Sequence, residues 1–213
     1  MADTSMMILI HDALRRDFAF LVEQVAACPA GDTGRATALG HAFEFVAHQL
    51  DHHHTGEDED LWPMVKAKLG GDTDAAAVLD RMQEQHKVID PGIARVRSAF
   101  AGLQSGRGNP AATAEALREL AEALREHLEN EEREAVPILA RTLDDNDLKQ
   151  FSRMQVKRGG GMRSGATFFP WLVDGMSKQE ARQALVRLPP PVRFLTQRVW
   201  RRTYERAAPT LHR

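Results

Sequence analysis

One pattern of ionisable residues on an apolar helix face occurs twice in this chain of 213 residues, and it limits the folds that the chain can adopt. In the first copy, His53 and Glu57 continue the apolar stripe of Leu39, Phe43, Val46 and Leu50 at helical spacing, and Pro63 comes six residues after the glutamate. The second copy lies 74 residues later, at His127, Glu131 and Pro137.

The helix before each pair carries a single histidine on an apolar stripe. His11 lies on the first stripe, and His86 lies on a matching stripe 75 residues later. We therefore predict an all-α protein, an antiparallel four-helix bundle built from two repeated helical hairpins with a helical C-terminal extension. Antiparallel packing is expected to bring all six histidines and glutamates to one level.

The four bundle helices are predicted at about residues 5–27, 33–68, 74–103 and 111–141. Pro91 predicts a kink or break in the third, because proline removes a backbone donor and clashes with the preceding turn. Gly56 lies inside the second helix, where glycine costs about 1 kcal/mol relative to alanine. We expect a local contact to require this glycine.

We predict a bundle domain at residues 1–146 and an extension at residues 147–213. The extension should contain a helix at 146–157, a flexible basic linker at 157–166, a short helix opened by a Ser177/Glu180 capping box and a last helix at 192–205. Residues 1–148 hold 14 Lys and Arg against 27 Asp and Glu, whereas residues 149–213 hold 14 against 3. The favoured interpretation is that the basic extension caps the acidic bundle. A membrane surface, a protein partner and nucleic acid are the alternatives.

The compartment is predicted from two weak signals. Cys28 is the only cysteine, so no intrachain disulfide can form, and the first apolar run is too short for a signal peptide or a membrane span. Together these signals favour a cytoplasmic location.

Six ionisable groups on buried stripes indicate bound metal, because a buried imidazole or carboxylate costs several kcal/mol unless something binds it. Each histidine taken alone is typical of a hydrogen-bonded structural residue, but six aligned groups favour ligation. Four imidazoles and two carboxylates exceed the needs of one tetrahedral zinc and suit two metals bridged by the glutamates. Iron fits this mixed nitrogen and oxygen set best, with manganese second.

The neighbouring polar residues are predicted to lie outside the site. Residues next to His53 point about 100° away on a helix, so His52 and His54 are expected on the surface or behind the ligands. His48 and His52 are one turn apart and could form a weak accidental zinc site. The remaining acidic residues near the motif are expected to form a solvated face: Asp58, Glu59, Asp60, Glu132 and Glu134.

Over about residues 5–145 the chain resembles the haemerythrin-like, or HHE cation-binding, proteins. The motifs are His11 in His-Asp-Ala-Leu-Arg, His53-x-x-x-Glu57 before Leu-Trp-Pro, His86 in Glu-Gln-His-Lys, and His127-x-x-x-Glu131 before Pro137. The resemblance implies a four-helix bundle with an oxo- or hydroxo-bridged di-iron centre. It also implies that Glu57 and Glu131 bridge the irons and that the four histidines are terminal ligands.

One position departs from the oxygen-carrying members of that family. They use a second histidine one turn after the first on the third helix, where this chain has Asp90. Asp90 is the alternative seventh ligand, but an open or water-filled position is favoured there.

We predict a di-iron oxidoreductase that reacts with peroxide, nitric oxide or oxygen, with a catalase- or peroxidase-type detoxifying activity. The alternative is a reversible oxygen carrier, or an oxygen or iron sensor without turnover. A structural bundle and a ferritin-like iron oxidase rank lower, and the Glu-x-x-His pattern of the latter is missing from the stripes of the second and fourth helices. The expected ligand is a small molecule; nucleic acid is not expected and membrane contact of the basic extension is not favoured. The sequence contains no signal for the oligomeric state.

Overall fold

The computed structural model describes residues 2–186 and 188–211, and within them the chain forms eight continuous helical stretches and no strand. The bundle stretches are α1 (Ser5–Ala26), α2 (residues 33–66, with α-helix Thr33–Gly56, π-helix Glu57–Leu61 and α-helix Trp62–Lys66), α3 (Thr73–Gln104) and α4 (residues 110–142, with α-helix Pro110–Asn130, π-helix Glu131–Ala135 and α-helix Val136–Thr142). The others are α5 (Asp145–Arg158), α6 (Met162–Leu172), α7 (Lys178–Ala184) and α8 (residues 190–207, with Pro190–Leu195, π-helix Thr196–Trp200 and Arg201–Ala207).

The first four stretches pack around one another. α1 and α3 each contact both α2 and α4. The connections at residues 27–32, 67–72 and 105–109 are short, so consecutive helices run antiparallel. The predicted all-α fold is confirmed.

Side-chain caps fix where three of these helices begin. The carboxylate of Asp32 accepts from the backbone N–H of Arg35 at the start of α2, and Asp72 accepts from Ala75 at the start of α3. Asn109 caps α4 through its side-chain oxygen, directly before Pro110. Each such cap is worth about 1 kcal/mol. The caps set the helix register that later carries the site residues.

The core of the bundle is divided into two apolar clusters at different levels. The larger contains Leu14, Phe43, Leu50 and Ile89, and the smaller contains Trp62 and its neighbours. On α2 the larger cluster stops at Leu50 and the smaller begins at Leu61, so the residues between them form a polar layer with apolar side chains on either side.

Helices α2 and α4 each contain a π-helical turn, at equivalent positions of the repeat, Glu57–Leu61 and Glu131–Ala135. In each, the residue just before the proline donates its backbone N–H five residues back, from Trp62 to Glu57 and from Val136 to Glu131. The following proline has no N–H and its ring crowds the carbonyl four residues back. A widened turn relieves that clash, and such turns are frequent at functional sites.

Of the kink or break predicted at Pro91, the break is wrong, because α3 runs through this residue without interruption. Pro91 and Lys87 are both exposed. The carbonyl of Lys87, which loses its helical partner, can therefore be hydrated.

The extension packs onto the bundle, as predicted, and its attachment is specific. Trp171 and Tyr204 are buried within the larger apolar cluster. Trp171 Nε1 donates to Asp17 Oδ2 at 2.7 Å, and Arg16 of the same helix donates to the carbonyl oxygens of Trp171 and Asp174. A buried polar network as well as opposite charge therefore holds the extension.

The predicted flexible linker is wrong for most of its length. A glycine turn at 159–161 follows α5, and α6 begins at Met162. The Ser177/Glu180 capping box is confirmed at the start of α7. The last helix, predicted at 192–205, is observed as α8 and begins two residues earlier, at Pro190. No helix of the described part is long and apolar enough to cross a membrane.

Candidate metal centre

The six predicted site residues meet in the polar layer between the two apolar clusters. Each is buried, and four helices supply them. The set is His11 from α1, His53 and Glu57 from α2, His86 from α3, and His127 and Glu131 from α4. The structure thus brings the whole predicted set together.

The imidazoles form two pairs. His11 Nε2 lies 3.1 Å from His53 Nε2, and His86 Nε2 lies 3.1 Å from His127 Nε2. Two ligand nitrogens that each lie about 2.1 Å from one metal, with a right angle between the two metal–nitrogen bonds, are about 3 Å apart. The spacing in each pair therefore suits one metal per pair.

Each glutamate reaches both imidazole pairs. Glu57 Oε1 lies 3.3 Å from His53 Nδ1, and its Oε2 lies 3.5 Å from His86 Nε2. Glu131 Oε2 lies 3.2 Å from His11 Nε2 and 3.8 Å from His127 Nε2. A carboxylate in this position can contribute an oxygen to a metal at either pair.

The outer nitrogens of three imidazoles have acceptors of their own. His11 Nδ1 donates to Glu132 Oε1 at 2.8 Å, and His86 Nδ1 donates to Asp58 Oδ1 at 2.9 Å. His127 Nδ1 lies 3.0 Å from Gln85 Oε1 and donates to it. When the imidazole is neutral, each of these bonds leaves the lone pair of Nε2 directed into the site, which is the usual support for a metal-bound histidine.

One segment in each copy of the repeat supplies both a central and a supporting carboxylate. Within α2, Glu57 points into the site while the next residue, Asp58, reaches His86 on the neighbouring helix. Within α4, Glu131 points into the site and the next residue, Glu132, accepts the hydrogen bond from His11. The two copies of the repeat therefore place equivalent groups around the site.

Burial keeps most of the histidines neutral. It lowers the pKa of His127 to about 4, and it lowers the pKa values of His53 and His54 well below the usual range, with the nearby imidazoles adding to the effect. His11 differs, because the charges of Glu131 and Glu132 outweigh burial and raise its pKa to about 9. Neutral imidazoles are the form that binds metals.

The two central carboxylates are shifted in opposite directions. Burial and the charge of Glu131 raise the pKa of Glu57 well above its usual value. Burial acts to raise the pKa of Glu131 also, but positive charge on His11 outweighs it and holds that pKa below its usual range. Without a metal, the pair is most stable with only Glu131 ionised.

Unpartnered oxygens show that the donor set fits metal cations. Among the described residues, none of the four carboxylate oxygens of Glu57 and Glu131 has a hydrogen-bond partner, although both side chains are almost wholly buried. A buried polar oxygen without a hydrogen-bond partner is unfavourable, at a cost of about 1–3 kcal/mol. One nitrogen or oxygen each from His11, His53, Glu57 and Glu131 lies within 4.8 Å of the others. Cations at this place would remove the cost.

Of the two positions predicted for His54, on the surface or behind the ligands, the surface position is wrong. His54 is 5 % exposed and groups with His86 and His127, with one nitrogen of each within 4.8 Å of the others. A helix that meets the site on one side only would direct His53 into it and His54 away from it. Because α2 packs against both α1 and α3, two neighbouring residues can enter it from different sides, His53 towards His11 and His54 towards His86.

The prediction of a solvated acidic face is wrong for three of its five residues. Asp58 and Glu132 accept hydrogen bonds from site histidines, and Asp60 accepts from Gln155 and Arg158. The signal in the sequence was the acidic residue that directly follows the glutamate in both copies of the repeat.

Asp90, the alternative seventh ligand, is exposed and belongs to neither group of potential ligands among the described residues. His41 and His48 also lie outside both groups. His52 is half-buried beside Gly159 and likewise outside them.

The comparison with protein families agrees with this arrangement. The profile described as "Hemerythrin HHE cation binding domain" matches residues 3–139, which include every histidine and glutamate of the site. No match was found among curated proteins or among solved structures.

Proposed function

Because the chain belongs to the haemerythrin HHE cation-binding family, we propose that its bundle decomposes hydrogen peroxide and holds two iron ions, to both of which Glu57 and Glu131 would supply oxygens. The observation that carries the proposal is that each glutamate reaches both imidazole pairs. Mixed imidazole and carboxylate donors suit iron, and manganese is the second choice.

The number of donors supports reaction with a small molecule. Four imidazole nitrogens and four carboxylate oxygens are fewer than two octahedral metals accept, so exchangeable positions remain for solvent or peroxide. Bound iron supplies Lewis acidity and a change of oxidation state. Nitric oxide and oxygen are small enough to be alternative substrates.

The chain itself supplies a route for protons. Glu132 Oε1 accepts the Nδ1 proton of His11 and also accepts from Arg15 Nη1 at 2.8 Å. The side chains of Glu132 and Arg15 are partly exposed, whereas that of His11 is buried. Protons can therefore exchange between solvent and the edge of the site through Glu132.

Apolar side chains limit bulk water around the site. Leu14, Phe18, Ile89 and Ile93 are buried in the cluster on one side of the polar layer, and Trp62 is buried on the other. Exclusion of water strengthens electrostatic interactions inside the site and suppresses side reactions.

The proposed reaction needs no external reductant. One peroxide is oxidised to dioxygen while a second is reduced to water, so two peroxides give one dioxygen and two waters. The test is oxygen release by the full-length, iron-loaded protein in an oxygen electrode, with iron-free protein as control. Release in that ratio supports the proposal, whereas equal rates with and without iron would contradict it.

Reversible oxygen binding is the second candidate function. The apolar clusters on both sides of the polar layer favour it, because they shield bound oxygen from water. A visible spectrum that changes with air and reverts under vacuum, without peroxide turnover, would replace the catalytic proposal. We further propose a cytoplasmic protein that acts on a small molecule rather than on nucleic acid or a membrane.

A further inference from the structure

His54 lies against the second imidazole pair but has no role in the six-residue set. Its ring stacks on that of His86, with centroids 3.9 Å apart and an interplanar angle of 11°, and it stands edge-on to His127 at 5.2 Å. His54 is 5 % exposed, and its Nε2 has no hydrogen-bond partner within the described residues. A buried nitrogen without a partner is unfavourable unless something binds it.

The internal repeat shows that packing does not require an imidazole here. The 74-residue offset pairs His54 with Leu128, which is fully buried in the larger apolar cluster. A leucine therefore fills the equivalent position of the second copy. The histidine in the first copy adds a donor nitrogen where its counterpart has only a hydrocarbon side chain.

We propose that His54 is a third imidazole ligand of the metal at the His86/His127 pair. The inference rests on the proposed function, since it requires the two-metal centre. His54 reaches that pair because α2 borders both α1 and α3, which lets His53 and His54 serve different metals.

The two metal positions then differ. One has three imidazoles, from His54, His86 and His127, and the other has two, from His11 and His53. More exchangeable positions remain at the metal with two imidazoles. These positions are on the side of His11, rather than near the exposed Asp90.

The test replaces His54 by leucine, the residue at the equivalent position of the second copy. His54→Leu in the full-length chain is compared with His52→Leu, which changes the neighbouring half-buried histidine outside both ligand groups. Iron-free proteins are titrated with ferrous iron in the absence of oxygen. We expect two irons per chain for the unmodified protein and His52→Leu, and for His54→Leu one tight iron and a second weakened at least about tenfold.

Chemical rescue separates ligation from packing. Imidazole added to His54→Ala is expected to restore binding of the second iron, because it can supply the missing nitrogen in the cavity. It should not change His52→Ala. If His54→Leu failed to fold, this titration would decide the matter alone.

The iron titrations can contradict the role of His54 without contradicting the proposed two-metal centre. Two irons in the unmodified protein, with unchanged affinity in His54→Leu and no response of His54→Ala to imidazole, would overturn the role of His54 alone. Fewer than two irons in the unmodified protein would overturn the two-metal centre, and the inference with it.

Discussion

Gln155 of α5 packs its side-chain amide so closely against Gly56 of α2 that a Cβ atom on residue 56 would displace the amide. A Cβ on Gly56 would lie 2.8 Å from Gln155 Cδ and closer still to its Oε1. Gln155 Nε2 also donates to Asp60 Oδ2 at 2.9 Å. The glycine that helix propensity disfavours thus admits the side chain that ties α5 to the end of the site helix.

Gly56→Ala should therefore not give the gain of about 1 kcal/mol that this change normally brings inside a helix. The new methyl group displaces Gln155 and breaks its bond to Asp60, which offsets the gain. In a Gln155→Ala background the same change should be more favourable by about 1 kcal/mol. Urea unfolding of the four proteins of this double-mutant cycle measures the difference. Equal effects in both backgrounds would show that the contact has no energetic weight.

Glu57→Gln and Glu131→Gln should each lose most of the bound iron, because an amide cannot supply a negatively charged bridge. Glu59→Gln is the matched control, since Glu59 lies in the same π-helical turn but pairs with Arg158 outside the site. Iron analysis of the purified proteins measures the loss. Retention of iron in all three variants would remove the glutamates from the ligand set.

The hydrogen bond from Trp171 to Asp17 should stabilise the docked extension without holding metal. Trp171→Phe leaves a buried carboxylate oxygen short of one donor, at a cost of about 1–3 kcal/mol. Phe194→Ala is the control, because Phe194 is 62 % exposed. Thermal unfolding should show a lower Tm for Trp171→Phe alone, with normal iron content. Loss of iron in that variant would make the extension part of the support of the site.

The iron-free protein should become less stable as the pH falls from 6.5 to about 4. The folded-state pKa values of His53, His54 and His127 are depressed, so the unfolded chain binds more protons in this window. His127 alone contributes roughly 3 kcal/mol. Glu57 opposes the trend, since its raised pKa lets the folded protein take up a proton there. His11 has no effect, because its raised pKa makes its contribution complete below pH 6.5.

Urea unfolding of the iron-free protein at pH 7 and pH 5 tests this balance. His54→Leu removes one of the three histidines whose depressed pKa values lower the stability at acidic pH. The stability of this variant should therefore depend less on pH. A protein that is more stable at pH 5 than at pH 7 would show that Glu57 dominates instead.

The central residues of the candidate site could be predicted from the sequence because a helix converts spacing into direction. An apolar stripe that continues through His53 and Glu57 must carry both into the core, and the repeat at His127 and Glu131 indicates that they converge. The same reasoning predicts the bundle, since two copies of an amphipathic hairpin bury their stripes only against each other.

The other features of the site and of the docked extension depend on contacts between helices. The spacing of residues along one helix does not encode those contacts. A residue that points 100° away from His53 is expected outside a site that α2 meets on one side only, but His54 enters the site from the side of α3. The π-helical turns had a local signal, the proline six residues after each glutamate, but their effect on Asp58 and Glu132 depends on neighbouring helices. The docking of Trp171 on Asp17 joins residues 154 positions apart, and no periodic pattern connects them.

The most direct test of the two-metal centre is a low-temperature Mössbauer spectrum of the full-length protein loaded with ferric iron. Two irons that share Glu57, Glu131 and a solvent-derived bridge should couple to a ground state without net spin. We expect quadrupole doublets that stay unsplit without an applied field and include nearly all of the iron. A magnetically split spectrum typical of isolated ferric ions would contradict it.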